Sequence, residues 1–161
     1  MKKVIIFALA AVLLAGCSNT ASGDKNEVKT EQKAVKRELN KAKTVNEIVM
    51  KITNATTIKD DTLEQGQEML QLKFEIKNGS KAEYGIGSGD FYIQDEAGKK
   101  YTMTGREDNF GAAIKAGATL KGNGYYAVPK NAKKLTVVYD QVMNKAKDKK
   151  TISWFIGTPT K

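Results

Sequence analysis

Alternation of apolar and polar residues with a period of two dominates the middle of the chain. In residues 70–77 the even-numbered positions are apolar and the odd-numbered positions are polar or charged. Alternate side chains point to opposite faces in an extended strand, so this segment predicts a strand with one buried face. No segment after Thr44 shows a convincing helical period, and the sequence therefore predicts an all-β domain.

Turn residues divide the domain into about seven short strands, which is typical of a β-sandwich. The predicted strands are 47–52, 70–77, 91–93, 101–103, 119–128, 135–139 and 152–156. The short turn at 95–98 joins two of them into a β-hairpin. The chain has one cysteine, so no disulfide can join the sheets and the core depends on burial. The predicted core residues are Leu72, Phe74, Ile93, Tyr126, Val137 and Trp154.

The beginning of the chain has the composition of a bacterial signal peptide. Two lysines precede an apolar run at 4–16, which is too short to cross a bilayer as a helix. The run ends in Leu14, Ala15, Gly16 and Cys17, a sequence that resembles the lipobox, where the cysteine receives diacylglycerol and the chain is cut before it. We expect Cys17 to anchor the protein to the extracytoplasmic face of the cell membrane, because two acyl chains hold stably.

Composition then divides the chain into three parts. These are a signal peptide at 1–16, a lipidated cysteine with a polar, basic tether at 17–44, and a β-sandwich domain at 45–161. The tether has few large apolar residues, so we expect it to be solvated, and either flexible or partly helical.

Positive charge favours an anionic partner. The formal net charge is +9 at pH 7, and loss of the signal peptide lowers it to +7. A basic domain near a membrane is attracted to anionic lipids and wall polymers without a specific site. Nucleic acid is the other usual partner of a basic chain, but export and the even mixing of acids among the lysines argue against it. The expected partners are anionic envelope polymers or another envelope protein.

Residues for catalysis are scarce. The chain has no histidine, which excludes histidine-dependent triads and histidine-ligated metals. Paired carboxylates could serve a glycosidase, but the sequence singles out no pair. We therefore expect a non-catalytic domain with no cofactor and no metal site. The alternatives are an acid-dependent envelope hydrolase and the precursor of a pheromone released from the signal peptide, with which the apolar tail at 9–16 is compatible.

Acidic residues in several predicted loops could bind calcium if the fold brought them together. These are Asp90, Asp95 and Glu96, or Glu107 with Asp108. They lack EF-hand spacing. Acids in β-turns commonly make local hydrogen bonds instead, which is the simpler interpretation.

Two other features are candidates for binding. The glycine-rich segment 85–89 lacks the lysine and the following helix of a phosphate loop, and indicates a flexible connection between strands. Tyr125, Tyr84 and Phe110 are candidates for partial exposure beside Arg106, where they would form a ligand or partner patch. Ordinary packing of a loop onto the edge of the sandwich is the simpler interpretation.

Five segments together resemble a known family. They read LKFEIKN at 72–78, GDFYIQDEAGKKY at 89–101, IKAG at 114–117, YAVP at 126–129 and ISW at 152–154. They resemble a domain of unknown function found in many Gram-positive lipoproteins and secreted proteins, related to a secreted immunogenic antigen of mycobacteria. The resemblance covers 45–156 and implies an immunoglobulin-like (telokin-like) fold. The family has no agreed catalytic or binding residues, so the resemblance implies no site.

Overall fold

A computed structural model describes residues 36–141 and 150–161, which form β-strands and one short 3-10 turn at Ser88–Asp90. The strands are β1 (Lys43–Val45), β2 (Ile48–Ile58), β3 (Gln67–Asn78), β4 (Tyr84–Gly87), β5 (Phe91–Gln94), β6 (Lys100–Tyr101), β7 (Gly111–Ile114), β8 (Thr119–Pro129), β9 (Leu135–Tyr139) and β10 (Ile152–Gly157). In this part of the chain no helix has the length and apolar character needed to cross a membrane.

Two antiparallel sheets pack face to face as a sandwich, so the predicted all-β, immunoglobulin-like sandwich is confirmed. The first sheet has the order β1-β2-β3-β8 and the second has the order β10-β9-β5-β6. Strands β4 and β7 pair separately as a two-stranded ribbon. Strand β3 pairs along most of its length with β2 on one side and β8 on the other, so it is the central long strand of the first sheet.

The inner faces of the two sheets form a continuous apolar core. All six predicted core residues are buried, at 2% exposure or less: Leu72, Phe74, Ile93, Tyr126, Val137 and Trp154. The rings of Phe74 and Phe91 lie 4.7 Å apart between their centroids, which links the two sheets. Burying one such side chain stabilises the fold by about 1.5–3 kcal/mol, and this burial takes the place of an inter-sheet disulfide.

Strand β2 contains a β-bulge, which explains why its predicted end at residue 52 is too early. The pairing with β3 shifts between Ile52 and Asn54. The next fully buried residue after Ile52 is Ala55, three positions on rather than two. The period of two is broken at this point, although the strand continues to Ile58.

The glycine-rich segment is ordered backbone rather than the flexible connection that the sequence indicates. Gly85 and Gly87 belong to β4 and pair with Ala113 and Gly111 of β7. A Cβ atom at Gly87 would lie 3.4 Å from the Phe110 carbonyl oxygen. The interpretation as a flexible connection is therefore wrong, because the segment forms a paired strand. The close approach of the two backbones explains why position 87 is a glycine.

The sandwich begins earlier than the sequence predicts. Glu38 N–H donates to the Phe155 carbonyl at 2.7 Å, and Asn40 N–H donates to the Ile52 carbonyl at 2.8 Å. Leu39 packs against the core, and β1 runs across the predicted boundary between residues 44 and 45. The start of the sandwich therefore moves to Glu38. The predicted signal peptide and the tether up to residue 35 lie outside the described residues.

Candidate functional site

The predicted lipobox, Leu14 to Gly16, and the predicted lipid attachment residue Cys17 also lie outside the described residues.

Asp90, Asp95 and Glu96, considered as calcium ligands, make contacts within the protein. Asp95 accepts a hydrogen bond from the Tyr101 hydroxyl at 2.9 Å, which lowers the pKa of Asp95. Glu96 pairs with Lys134 at 2.7 Å. The Asp90 carboxylate accepts a backbone N–H from β4 at 2.9 Å. Across residues 36–141 and 150–161, no group of three or more His, Cys, Asp or Glu residues is placed to hold a metal ion.

The candidate patch of exposed aromatic residues is not observed. Tyr125 is 3% exposed and Phe110 is 7% exposed. Tyr84 is half-buried, and its hydroxyl lies 2.6 Å from the hydroxyl of Tyr139. Tyr125 points to the outer face of the first sheet, but the segment 103–110 packs along the edge of β8 and covers it. A loop packed on the edge of the sandwich, the simpler interpretation from sequence, is what the structure shows.

A polar network fixes this loop to the sheet. The Arg106 guanidinium lies 2.5 Å from the Asp60 carboxylate and 5.0 Å from the centroid of the Tyr125 ring. The Tyr125 hydroxyl donates to Asp108 and accepts a hydrogen bond from Gln71 at 2.7 Å. The hydrogen bond from Tyr125 lowers the pKa of Asp108. These polar groups are satisfied by each other, so the network is structural.

A basic surface covers the outer face of the first sheet. We call it the lysine face and define it by Lys51 on β2, Lys73, Glu75 and Lys77 on β3, and Lys121 on β8. The even-numbered neighbours on β3 are buried in the core, so these odd-numbered residues point outward. The face has four lysines and one glutamate, and its formal net charge is +3.

Glu75 lies in the middle of the lysine face. It is directly opposite Lys51 on one side and Lys121 on the other. The Nζ atoms of these lysines lie 2.7 Å and 3.5 Å from its carboxylate oxygens. The hydrogen bond from Lys51 lowers the pKa of Glu75, so the carboxylate is charged at neutral pH. It neutralises one of the two flanking charges.

Lys73 and Lys77 carry the accessible charge of the face. Both are exposed, and they lie two positions before and after Glu75 on β3. Among the residues that the structure describes, neither forms an ion pair within 4.0 Å. The neighbours opposite Lys73 are Asn54 and Asn123, both uncharged. An open groove lined by Lys73 and Lys121 passes over this part of the face, where the Lys73 ammonium group can meet an anion without displacing an internal partner.

The sequence contained part of this signal. The odd-numbered lysines of 70–77 predict that one face of this strand is charged. The contributions of Lys51 and Lys121 required the strand register, because they are far from β3 in sequence and meet it only by cross-strand pairing.

Several solved bacterial structures are similar to this chain. The candidate lipoprotein ycdA of Bacillus subtilis aligns with a TM-score of 0.60 at 22% identity, over 72% of this chain and 38% of its own. The yjhA protein of Bacillus subtilis aligns with a TM-score of 0.54 at 14% identity, over 71% and 95%. The secreted protein MPT63 of Mycobacterium tuberculosis aligns with a TM-score of 0.48 at 14% identity, over 60% and 77%. At these identities the first two likenesses show the fold alone.

Two family models match the chain. Residues 1–18 match the prokaryotic membrane lipoprotein lipid attachment site, so the chain is a membrane-anchored lipoprotein. No curated protein matches it significantly. Residues 37–150 match the domain of unknown function DUF4352, and this match begins one residue before Glu38, where the structure places the start of the sandwich. The chain belongs to the DUF4352 family.

Proposed function

We propose that this lipoprotein lies at the extracytoplasmic face of the membrane and binds an anionic envelope polymer through the lysine face, without catalysis. The observation that carries the proposal is the pair Lys73 and Lys77, whose ammonium groups are exposed and have no acidic partner in the described part of the chain. A lysine near an anionic surface contributes about 1 kcal/mol of attraction.

Two properties of the site support a binding role. The face is a sheet surface whose backbone is fixed by pairing of β3 on both sides, so the Cα positions of the lysines are set before any ligand arrives. Lipid anchoring holds the domain among envelope polymers, where several weak contacts with one chain act together.

The test is a binding measurement with a defined anionic polymer. The mature chain from residue 17, carrying Cys17→Ser, is titrated with poly(glycerol phosphate) at low and physiological salt, and with dextran as an uncharged polymer. We expect binding to poly(glycerol phosphate) that weakens as salt rises, and none to dextran. The double variant Lys73→Gln/Lys77→Gln should lower the affinity about tenfold or more, since each lysine accounts for about fivefold.

A matched control separates site binding from general charge. Lys130→Gln/Lys133→Gln removes two exposed lysines near the turn between β8 and β9, outside the lysine face, and changes the net charge equally. This variant should bind within about twofold of the parent. An equal loss in both double variants, or no binding of the parent at low salt, contradicts the proposal.

A further inference from the structure

The lysine face consists of three rows that cross the first sheet. Lys73 is the charged residue of one row, and Lys77 is the charged residue of another. Between them lies the central row, in which Glu75 has Lys51 and Lys121 on its two sides. Successive rows are two residues apart on β3, which is about 7 Å because a strand rises about 3.4 Å per residue.

Each row carries one net positive charge. The residues opposite Lys73 are Asn54 and Asn123, and those opposite Lys77 are Val49 and Thr119, all uncharged. In the central row the glutamate cancels one of its two lysines. The glutamate therefore makes the rows equal in net charge, with one net positive charge per row and rows about 7 Å apart along β3. In the central row the two ammonium groups belong to β2 and β8, on either side of the carboxylate.

The repeat ends after three rows. Beyond Lys73, the next outward residue is Gln71, which binds Tyr125 beneath Arg106. Arg106 is paired with an aspartate, so this row offers no free charge. Beyond Lys77, the strand ends at Asn78, and Gly79 donates its N–H to a backbone carbonyl of the turn between β1 and β2. The face therefore offers three neighbouring rows, each with one net positive charge.

We infer that the lysine face recognises a linear polyol-phosphate polymer that follows the direction of β3 with one phosphate on each row, the central phosphate lying on the β8 side of Glu75 at the exposed Lys121; this inference rests on the proposed function. A peptide residue has three backbone bonds and spans about 3.3–3.6 Å, so the six backbone bonds of a glycerol phosphate repeat span about 7 Å. That spacing equals the spacing of the rows. Condensed phosphate has two backbone bonds per repeat and spans about 2–3 Å, so its charges fall between the rows.

The experiment is a length series measured on the mature chain carrying Cys17→Ser. Glycerol phosphate oligomers of one to six repeats are titrated at constant low salt, alongside inorganic tripolyphosphate. We expect the affinity to rise about fivefold with each repeat up to the third. Beyond the third repeat it should rise only because a longer oligomer can be placed on the three rows in more than one way. The trimer should bind about fivefold more tightly than tripolyphosphate, although tripolyphosphate carries more charge, because tripolyphosphate reaches only two rows.

Variants of single rows test the alignment. In Lys77→Gln the fivefold gain in affinity per repeat should stop at two repeats instead of three. Glu75→Gln should raise the affinity for tripolyphosphate about fivefold and the affinity for the glycerol phosphate trimer less. The preference of the parent for the trimer over tripolyphosphate should therefore disappear. The reason is that the trimer brings one phosphate to the central row, whereas tripolyphosphate can bring two. Thermal unfolding of both variants confirms that the sandwich is intact.

The outcomes separate the two ideas. If the parent binds no polymer, the proposed function fails. If the parent binds through Lys73 and Lys77 but tripolyphosphate matches the trimer, or the affinity rises evenly through six repeats, the proposed function survives and the spacing inference is overturned. An unchanged preference in Glu75→Gln also overturns it.

Discussion

Glu38 and Phe155 are joined by two hydrogen bonds, one in each direction. The Glu38 N–H donates to the Phe155 carbonyl at 2.7 Å, and the Glu38 carboxylate accepts the Phe155 N–H at 3.1 Å. Strand β10 is the edge of the second sheet, and its backbone groups would otherwise be open to a strand of another chain. Glu38 therefore closes this edge and ties the N-terminal segment to it.

Replacing Glu38 by alanine should destabilise the domain by about 1–2 kcal/mol, because hydrogen bonds to a charged group are lost and the Phe155 N–H loses its partner. Lys41 and Lys43, which lie 2.7 Å and 2.9 Å from the carboxylate, would also lose their counter-charge. Urea unfolding measures the change. Exposed Glu83 is the matched control, and Glu83→Ala should change the free energy of unfolding by less than about 0.5 kcal/mol. An equal effect of the two substitutions would contradict the edge role.

The free energy of unfolding should fall in acid because the Glu38 carboxylate becomes protonated. Burial raises the pKa of Glu38, but hydrogen bonds from Lys41, Lys43 and the Phe155 N–H outweigh it and lower the pKa to about 2 from 4.5. The folded-state pKa is lower than the unfolded one, so the stabilisation is present above about pH 5 and is lost as the pH falls towards 2. Urea unfolding at a series of pH values should show a smaller decline for Glu38→Gln than for the parent. Parallel curves would refute the assignment.

Truncation tests where the sandwich begins. A chain that starts at Val45 lacks Leu39, the Glu38 contacts and the Lys41 carbonyl that accepts the Trp154 indole N–H at 2.8 Å. It should be less stable than a chain that starts at Lys36 by about 2–4 kcal/mol. Calorimetry of the two chains gives the difference. Equal melting temperatures would restore the boundary between residues 44 and 45.

How much of this fold the sequence predicts depends on whether each strand keeps a regular period. Leu72 and Phe74 lie in unbroken alternation on β3, and their burial is predicted correctly. The second half of β2 is missed because the bulge after Ile52 changes the parity of the inward residues. Strands β4 and β7 are missed because glycine and alanine carry little apolar pattern.

The candidate site is less predictable than the core, since it depends on distances between strands. Lys73 and Lys77 are recognisable from alternation alone, but Lys51 and Lys121 join them only through the register. Tyr125 shows that the face of a strand can be predicted correctly while the exposure of its side chain is not. Its parity correctly places it on the outer face, but a loop held by Arg106 and Asp60 covers it, and no local pattern encodes that contact.

The loop network should behave as a coupled unit. Tyr125→Phe removes the hydroxyl that joins Asp108 and Gln71, and should cost about 1–2 kcal/mol because these groups lose a shared partner. The double variant Tyr125→Phe/Asp108→Asn should cost less than the sum of the single variants. A double-mutant cycle from urea unfolding measures the coupling, and strict additivity would show that the two residues act independently.

Lipid attachment can be tested at one atom. Thioether formation needs the sulfur of Cys17, and the chain has no other cysteine to take its place. We expect Cys17→Ser to abolish labelling by a fatty-acid analogue and to leave a longer, uncleaved chain, because the cut follows lipid transfer. Ser18→Ala is the matched control and should be labelled and cleaved normally. In cell fractionation the processed control should be found in the membrane fraction, whereas a chain lacking residues 1–17 should not, since two acyl chains are needed for stable attachment. Normal labelling of Cys17→Ser would refute the anchor.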